Sequence, residues 1–222
     1  MNILTDDNLN YLETLISIFS IKNGKIKILL EKNEQDNIQT QWKLPSNYLK
    51  KLETLEHCIN NVIENKTGLN NVKYEQAFTF SNLERSQNER ILATSFIGLV
   101  DSKTVEANQI IINEKNVEWF NIDEIPELRF DHDEIVVYTI DHLKKKMNDI
   151  NALKLLFASP FTLPDLQKVY EQILNKKLDR RNFRKKFVTL GVIEDTNTYN
   201  IGCNGRPAKL YKFKEKINTE IV

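Results

Sequence analysis

Apolar positions in the first two thirds of the chain fall in short runs separated by polar turns. Leu15–Ile21 and Ile26–Glu31 flank Lys22-Asn23-Gly24-Lys25. Asn-Gly between two apolar runs accepts positive φ at both turn positions, so a two-residue β-hairpin is expected. A polar loop, Lys32–Gln41, leads to Trp42-Lys43-Leu44-Pro45. Leu55, Cys58, Ile59, Val62, Ile63 and Lys66 then keep a 3.6-residue period, with Gly68 placed to end that helix. Tyr74–Phe80, Arg90–Val100 and Val117–Ile122 read as strands, the second largely buried, and Asp131–Met147 as an amphipathic helix. Strands interleaved with helices predict an α/β layered domain.

The pattern changes after Phe161. Thr162 can cap a helix, Pro164 suits its first turn, and Asp165 adds a favourable charge there. Leu166, Val169, Tyr170, Ile173 and Leu174 form its apolar face. Asn175–Leu178 make a turn, and Asp179 can cap a second helix whose core face is Phe183, Phe187 and Leu190. The spacing of Tyr170, Phe183 and Phe187 assigns these aromatics to the core. The opposite face presents Arg181, Asn182 and Lys185, flanked by Arg184 and Lys186, while Arg180 lies nearer the core side. Such a pair fits a DNA-reading helix-turn-helix, or equally a helical hairpin with a solvated basic face.

Charge separates those alternatives. Residues 1–150 hold 17 Lys+Arg against 24 Asp+Glu, a net of −7; residues 151–222 hold 14 against 7, a net of +7. The chain as a whole is neutral, yet a polyanion meets repulsion from one part and attraction from the other. A domain boundary is therefore expected near residues 148–152, giving units 1–149 and 150–222. Past the second helix, VIEDTNTYN and AKLYKF alternate as strands do. The glycine-rich IGCNGRPA between them forms a wing tipped by Arg206, or simply a hairpin turn shaped by Gly202, Gly205 and Pro207. The two cysteines, Cys58 and Cys203, are far apart and fit reduced thiols rather than a disulfide framework or a zinc site. No apolar run approaches the roughly 20 residues of a membrane span, and MNILTDDNLN lacks a basic leader. A cytoplasmic protein is expected.

The order hairpin, WxLP, helix ending in TGL, two strands and a helix resembles the Nudix fold, an α/β/α sandwich around a mixed sheet. That family's signature is Gly-x5-Glu-x7-Arg-Glu-U-x-Glu-Glu-x-Gly-U, U being aliphatic. Aligned on Gly68-Leu69, its first Gly is Asn47, its first Glu is Glu53, its Arg-Glu is Asn61-Val62, its aliphatic residue is Ile63, and its Glu-Glu pair is Asn65-Lys66. Nudix hydrolysis needs several carboxylates on one helix to hold divalent cations, commonly magnesium, against a diphosphate. Here Glu53 and Glu64 remain beside the ammonium of Lys66, so no catalytic residues, metal or cofactor are assigned. Ser46-Asn47 also replaces the usual Gly-Gly of the phosphate loop.

The resemblance widens over residues 12–213. YEQAFTF, LERSQNERILATSF, WFNIDEIPELRFDH, FTLPDLQKVYEQIL, LDRRNFRKKF and GRPAKLYKF resemble Nudix-related transcriptional regulators, which join a Nudix-like sensor to a C-terminal winged helix-turn-helix and include the NrtR-type repressors of NAD metabolism. The resemblance implies a homodimer on a double-stranded DNA operator. The effector would be ADP-ribose or a related nucleotide, or a sugar as in the sugar-regulating branch. It implies DNA contacts from Arg181, Asn182, Arg184, Lys185, Lys186 and Arg206. Base edges fall to Arg181 and to Asn182 or Lys185, and phosphates to Arg184 and Lys186. It implies effector contacts from Lys32, Phe80, Arg85 and Arg90, with Phe80 stacking on a base or filling the core, and with a solvated or dimer-face role as the alternative for Arg85 and Arg90. His132, between two aspartates, is expected to serve as a local hydrogen-bonder. The competing readings are an ADP-ribose hydrolase with a non-standard site and a ligand-binding module without a DNA role.

Overall fold

The computed structural model describes residues 10–33, 42–86, 89–157, 160–200 and 207–215. The expected hairpin is present. Strand β1 (Asn10–Lys22) turns through Asn23 (φ 55°) and Gly24 (φ 69°) into β2 (Lys25–Lys32), with Lys22 opposite Lys25. Short strands β3 (Trp42–Lys43) and β4 (Ser46–Tyr48) precede helix α1 (Leu55–Asn61). Thr54 caps α1 by accepting the His57 N–H at 3.2 Å. The helix continues as a widened π turn over Val62–Thr67 and ends on Gly68 at φ 70°, where the left-handed backbone favours glycine.

Strands β5 (Lys73–Phe80), β6 (Arg90–Leu99) and β7 (Val117–Asn121) complete a seven-stranded mixed sheet. Its central path runs β3-β2-β1-β6-β5; β4 adds to β1 and β7 to β2. The β1–β6 pair is parallel and the others antiparallel. A single 3₁₀ turn, Leu83–Arg85, lies between β5 and β6. Helices α2 (Ser102–Ala107) and α3 (Gln109–Asn113), for which the pattern gave no signal, follow β6. Helix α4 (His132–Lys146) follows β7.

Side-chain alternation along β1 explains the layers. Ile16 and Ile18 face α1, the π turn, α2 and α3, packing with Ile59, Val62, Ile63, Val105 and Ile112. Leu15, Phe19 and Ile21 face α4 and join a second core. The sheet is thus covered on both faces, the α/β/α arrangement that the element order implied.

That second core continues into the C-terminal part. Helix α5 (Ile150–Leu156), also without a signal in the pattern, sends Leu153 and Leu156 into it. Strand β8 (Phe161–Thr162), α6 (Leu163–Leu174), α7 (Arg180–Thr189), β9 (Ile193–Asn200) and β10 (Ala208–Phe213) follow. The strands form a sheet of order β8-β10-β9. Hydrogen bonds also join the parts among the described residues. The Tyr170 hydroxyl donates to the Met147 carbonyl at 2.6 Å. The Ile26 N–H donates to Gln172 Oε1 and Gln172 Nε2 donates to Asp123 Oδ2, both at 2.7 Å. Gly24 approaches α6 so closely that a Cβ there would stand 3.1 Å from Asp165 Oδ1.

Candidate functional site

Two cationic features stand out, one in each part of the chain. The first is a cleft of about 410 Å³ at the end of the box helix, lined by residues of β1, β2, β3, β4, the π turn and the segment before α4. Its chemistry starts at Lys66. The box alignment puts an ammonium where the signature has its last carboxylate, and Lys66 Nζ lies 2.9 and 3.2 Å from the two oxygens of Glu31. Lys43 Nζ stands 3.6 Å from the same carboxylate. Burial holds the Lys43 pKa below its ordinary value, Glu31 opposing that shift and Lys66 adding to it. Lys32 and Arg129 also line the cleft.

Two aromatic side chains complete it. Tyr48 and Phe130 line the cleft and are 49% and 65% exposed. Phe130 sits at φ 60°, an uncommon backbone conformation for a bulky residue, with the Arg129 guanidinium 5.2 Å from its ring centre. An exposed aromatic pair beside ammonium groups can stack on a planar base while the cations meet an anion.

A buried polar cluster underlies the cleft. Arg85 Nη2 donates to Glu13 Oε2 at 3.0 Å, and Asp131 Oδ1 lies equally close without hydrogen-bond geometry. The Arg85 side chain is only 4% exposed. Burial pushes the Asp131 carboxyl up, and the Arg85 charge partly restrains it. Beside them, His132 Nδ1 accepts the Leu44 N–H at 3.0 Å. The neutral ring then carries its proton on Nε2, which faces Glu13 Oε1 at 3.8 Å with no hydrogen-bond partner. Burial, with the charges of Lys43 and Arg85, pushes the His132 pKa down to about 3. The local hydrogen-bonding role expected of His132 agrees with this geometry.

The structure brings only part of the expected effector set together. Lys32 lies at the cleft, and Arg85 lies beneath it behind Glu13. Phe80 packs on Phe78 and Tyr138, ring centres 5.1 and 5.6 Å away, against α4. Arg90 donates to the carbonyls of Ser81 and Asn82 and so braces the β5–β6 loop. Sequence reasoning missed Lys43, Tyr48, Arg129 and Phe130, and treated Lys66 only as a lost carboxylate. The one available signal was Lys66 itself, an ammonium in a row that otherwise carries acid.

The carboxylates do not suit a divalent ion. Glu53 accepts the Lys50 N–H and the Asn61 amide, both at 3.1 Å, so the residue in the box's arginine place still holds the box glutamate. Glu31 is taken by Lys66, Glu13 by Arg85, and Glu64 points outward, exposed. No cluster of three or more metal-ligating side chains occurs among the described residues.

The second feature is α7. Asp179 Oδ1 caps it by accepting the Asn182 N–H at 2.8 Å. Thr162 caps α6 in the same way through the Asp165 N–H, and Asn175 ends α6 at φ 48°. Phe183 and Phe187 pack on Tyr170 with ring centres 5.5 and 5.6 Å away, which confirms these three as core. That packing turns Arg181, Asn182, Arg184, Lys185 and Lys186 outward, all exposed. Arg180, placed nearer the core by its angle, is exposed as well, because it opens the helix where no neighbour covers it. No acidic residue occurs between Arg180 and Thr189. On the adjacent hairpin, Lys209 and Lys212 are paired to Asp195 and Glu194. Arg206 lies outside the described residues.

A larger, more open cavity of about 620 Å³ lies where the Asn23-Gly24 turn meets the end of α6. Its described lining mixes both charge signs and holds no aromatic residue, so it is read as a seam between the parts.

Comparison with known proteins agrees with this two-part architecture. The family model described as the NrtR DNA-binding winged helix domain matches residues 152–213. The ADPR-responsive transcriptional repressor NtrR of Acinetobacter baylyi is 29% identical over 203 residues, covering 89% of this chain and 80% of that protein. The crystal structure of Shewanella oneidensis NrtR with a 27mer DNA superposes with a TM-score of 0.74 at 26% identity, over 91% of this chain and 93% of that one. The isolated Nudix domain of the Shewanella protein, crystallised with ADP ribose, shares the fold at a TM-score of 0.50 and 18% identity, over 61% and 90% of the respective chains. No helix among the described residues is long and apolar enough to cross a membrane. In sequence and in architecture, the chain thus resembles the NrtR-type regulators, with a degenerate Nudix-like domain joined to a C-terminal part that matches the NrtR DNA-binding winged helix.

Proposed function

We propose that this protein is a DNA-binding repressor controlled by ADP-ribose or a related nucleoside diphosphate bound in the cationic cleft. The observation that carries the reading is α7, a capped helix whose exposed face is cationic and lacks acid, in a chain whose cleft offers ammonium groups and aromatic faces. It is supported by the Acinetobacter relative, named as an ADP-ribose-responsive repressor, and by the Shewanella protein, crystallised with DNA and, as its Nudix domain, with ADP ribose.

Residues 150–222 form the DNA-binding unit and residues 1–149 the sensing unit. Arg181 reads a guanine edge, Asn182 or Lys185 reads a neighbouring base, and Arg184 and Lys186 hold phosphates. Arg206 enters a minor groove from the wing. Two copies bind one operator through two-fold symmetry, in the cytoplasm where the DNA is. Tyr48 or Phe130 stacks on the effector's base. Ligand shifts the population of domain arrangements across the Gln172 seam and changes the spacing of the two recognition helices. The protein does not hydrolyse its ligand, because Glu53 is bonded to N–H donors, Glu64 points outward, and the remaining carboxylate positions of the signature hold no acid.

A gel-shift assay against the DNA upstream of its own gene tests this, run with ADP-ribose, NAD or arabinose and over a salt series. A shift that weakens steeply with salt and responds to one nucleotide is expected. A response to arabinose alone would favour a sugar effector, and no shift at any salt would overturn the DNA-binding reading.

A further inference from the structure

We infer that the cleft binds the diphosphate of its effector without a divalent cation, with the ammonium groups of Lys66 and Lys43 standing in the ion's place. The inference rests on the effector reading above. A Nudix box neutralises a diphosphate with metal, and the metal needs carboxylate oxygens that are free to coordinate. Here each inward carboxylate is already engaged. Both oxygens of Glu53 accept N–H donors, both oxygens of Glu31 contact Lys66, and Glu13 Oε2 accepts from Arg85. A dication would have to displace an ammonium 2.9 Å from Glu31, against its repulsion.

The same arrangement suits an anion. Lys66 and Lys43 share one carboxylate, so the pair carries more positive charge than Glu31 cancels. Lys32 and Arg129 line the same cleft. Glu31 then acts as an internal counter-ion that keeps the two ammonium groups in place until a phosphate replaces it at Lys66. A charge-assisted N–H···O bond is short and strong, and an ammonium can offer it to a phosphate oxygen without recruiting an ion from solution. The substitution of lysine for the box's last glutamate therefore exchanges a metal-borne charge for a protein-borne one.

The test is calorimetric titration of the full-length protein with ADP-ribose, once in excess EDTA and once in excess magnesium. We expect equal affinity in the two buffers within about twofold. In EDTA, Lys66→Met should weaken binding about 10- to 100-fold, the value of one charge-assisted bond, and Lys66→Arg should retain most of the affinity. Thermal unfolding of each variant without ligand checks that it folds; should Lys66→Met fail to fold, Lys66→Gln takes its place. Loss of binding in EDTA with rescue by magnesium overturns the inference, as does wild-type affinity in the folded Lys66→Met or Lys66→Gln variant. Absence of ADP-ribose binding in both buffers overturns it together with the effector reading, while the gel shift separately decides whether DNA binding stands.

Discussion

Replacing Arg85 with methionine asks whether this residue serves the effector or the scaffold. In the structure its guanidinium is buried between two carboxylates, with Nη2 3.0 Å from both Glu13 and Asp131. At that separation each pair has a gross attraction of about 5 kcal/mol at an effective dielectric constant of about 20. Most of that gain is offset by the desolvation of three buried charges, so replacing the whole cluster with apolar groups would change little. Removing the arginine alone leaves two carboxylates facing each other without a counter-charge. Breaking a buried pair in this way costs about 3–5 kcal/mol. Urea unfolding of Arg85→Met near neutral pH should show a loss of that size.

The pH dependence makes the reasoning sharper. Asp131 is already pushed up by burial, and Arg85 is the largest influence that restrains it. Without Arg85, Asp131 takes up a proton at a higher pH in the folded state than it does in the wild type. The folded variant therefore gains stability relative to wild type as pH falls, and the deficit should shrink on acidification from neutral pH. A double variant, Arg85→Met with Glu13→Gln, should recover part of the loss at neutral pH. A loss below about 1 kcal/mol, or a deficit unchanged between neutral and acidic pH, would refute the buried-cluster argument.

Three further outcomes are expected. Arg181→Ala should weaken specific DNA binding by about 1–3 kcal/mol and relax sequence preference at one position, measured by competition gel shift; unchanged affinity and preference would remove its base-reading role. His132 stays neutral in the folded state down to about pH 3 and titrates near its ordinary value when unfolded, so between those pH values it contributes a stability loss of about 1.4 kcal/mol per pH unit on acidification; His132→Asn, which keeps an acceptor for the Leu44 N–H, should flatten the unfolding-versus-pH curve, and an identical slope would contradict the assignment. Gln172→Ala leaves the Ile26 N–H and Asp123 without their partner at the seam, and should lower stability by about 1–2 kcal/mol in denaturant titration; a change within error would mean that water replaces the glutamine there.

The elements legible in the sequence were those set by neighbours close along the chain. Asn23-Gly24 dictates its turn because both residues tolerate positive φ, whatever the strands later pack against. Thr162 and Asp179 cap helices whose first N–H groups lie two or three residues away, and Gly68 ends its helix by adopting the left-handed backbone. The apolar face of α6 and the cationic face of α7 follow from a 3.6-residue period, so both the helix-turn-helix and its outward residues could be named in advance. Helices α2, α3 and α5 could not, because each is only five to seven residues long and is held mainly by the sheet it covers.

What tertiary structure alone decided is the state of each charge around the cleft. Arg85 and Glu13 are 72 residues apart, and Lys66 and Glu31 are 35 apart. No local pattern says that the first arginine is buried as a counter-ion while the second cation lines an open cleft. Tyr48 and Phe130 are separated in the same way and come to line one cleft only where β4 and the segment before α4 are brought together. The sequence by itself determined the two-part architecture, the cationic face of α7, and the loss of the signature's carboxylates. Only the folded chain decided which cations took their place, because burial and through-space pairing depend on which distant segments the sheet brings together.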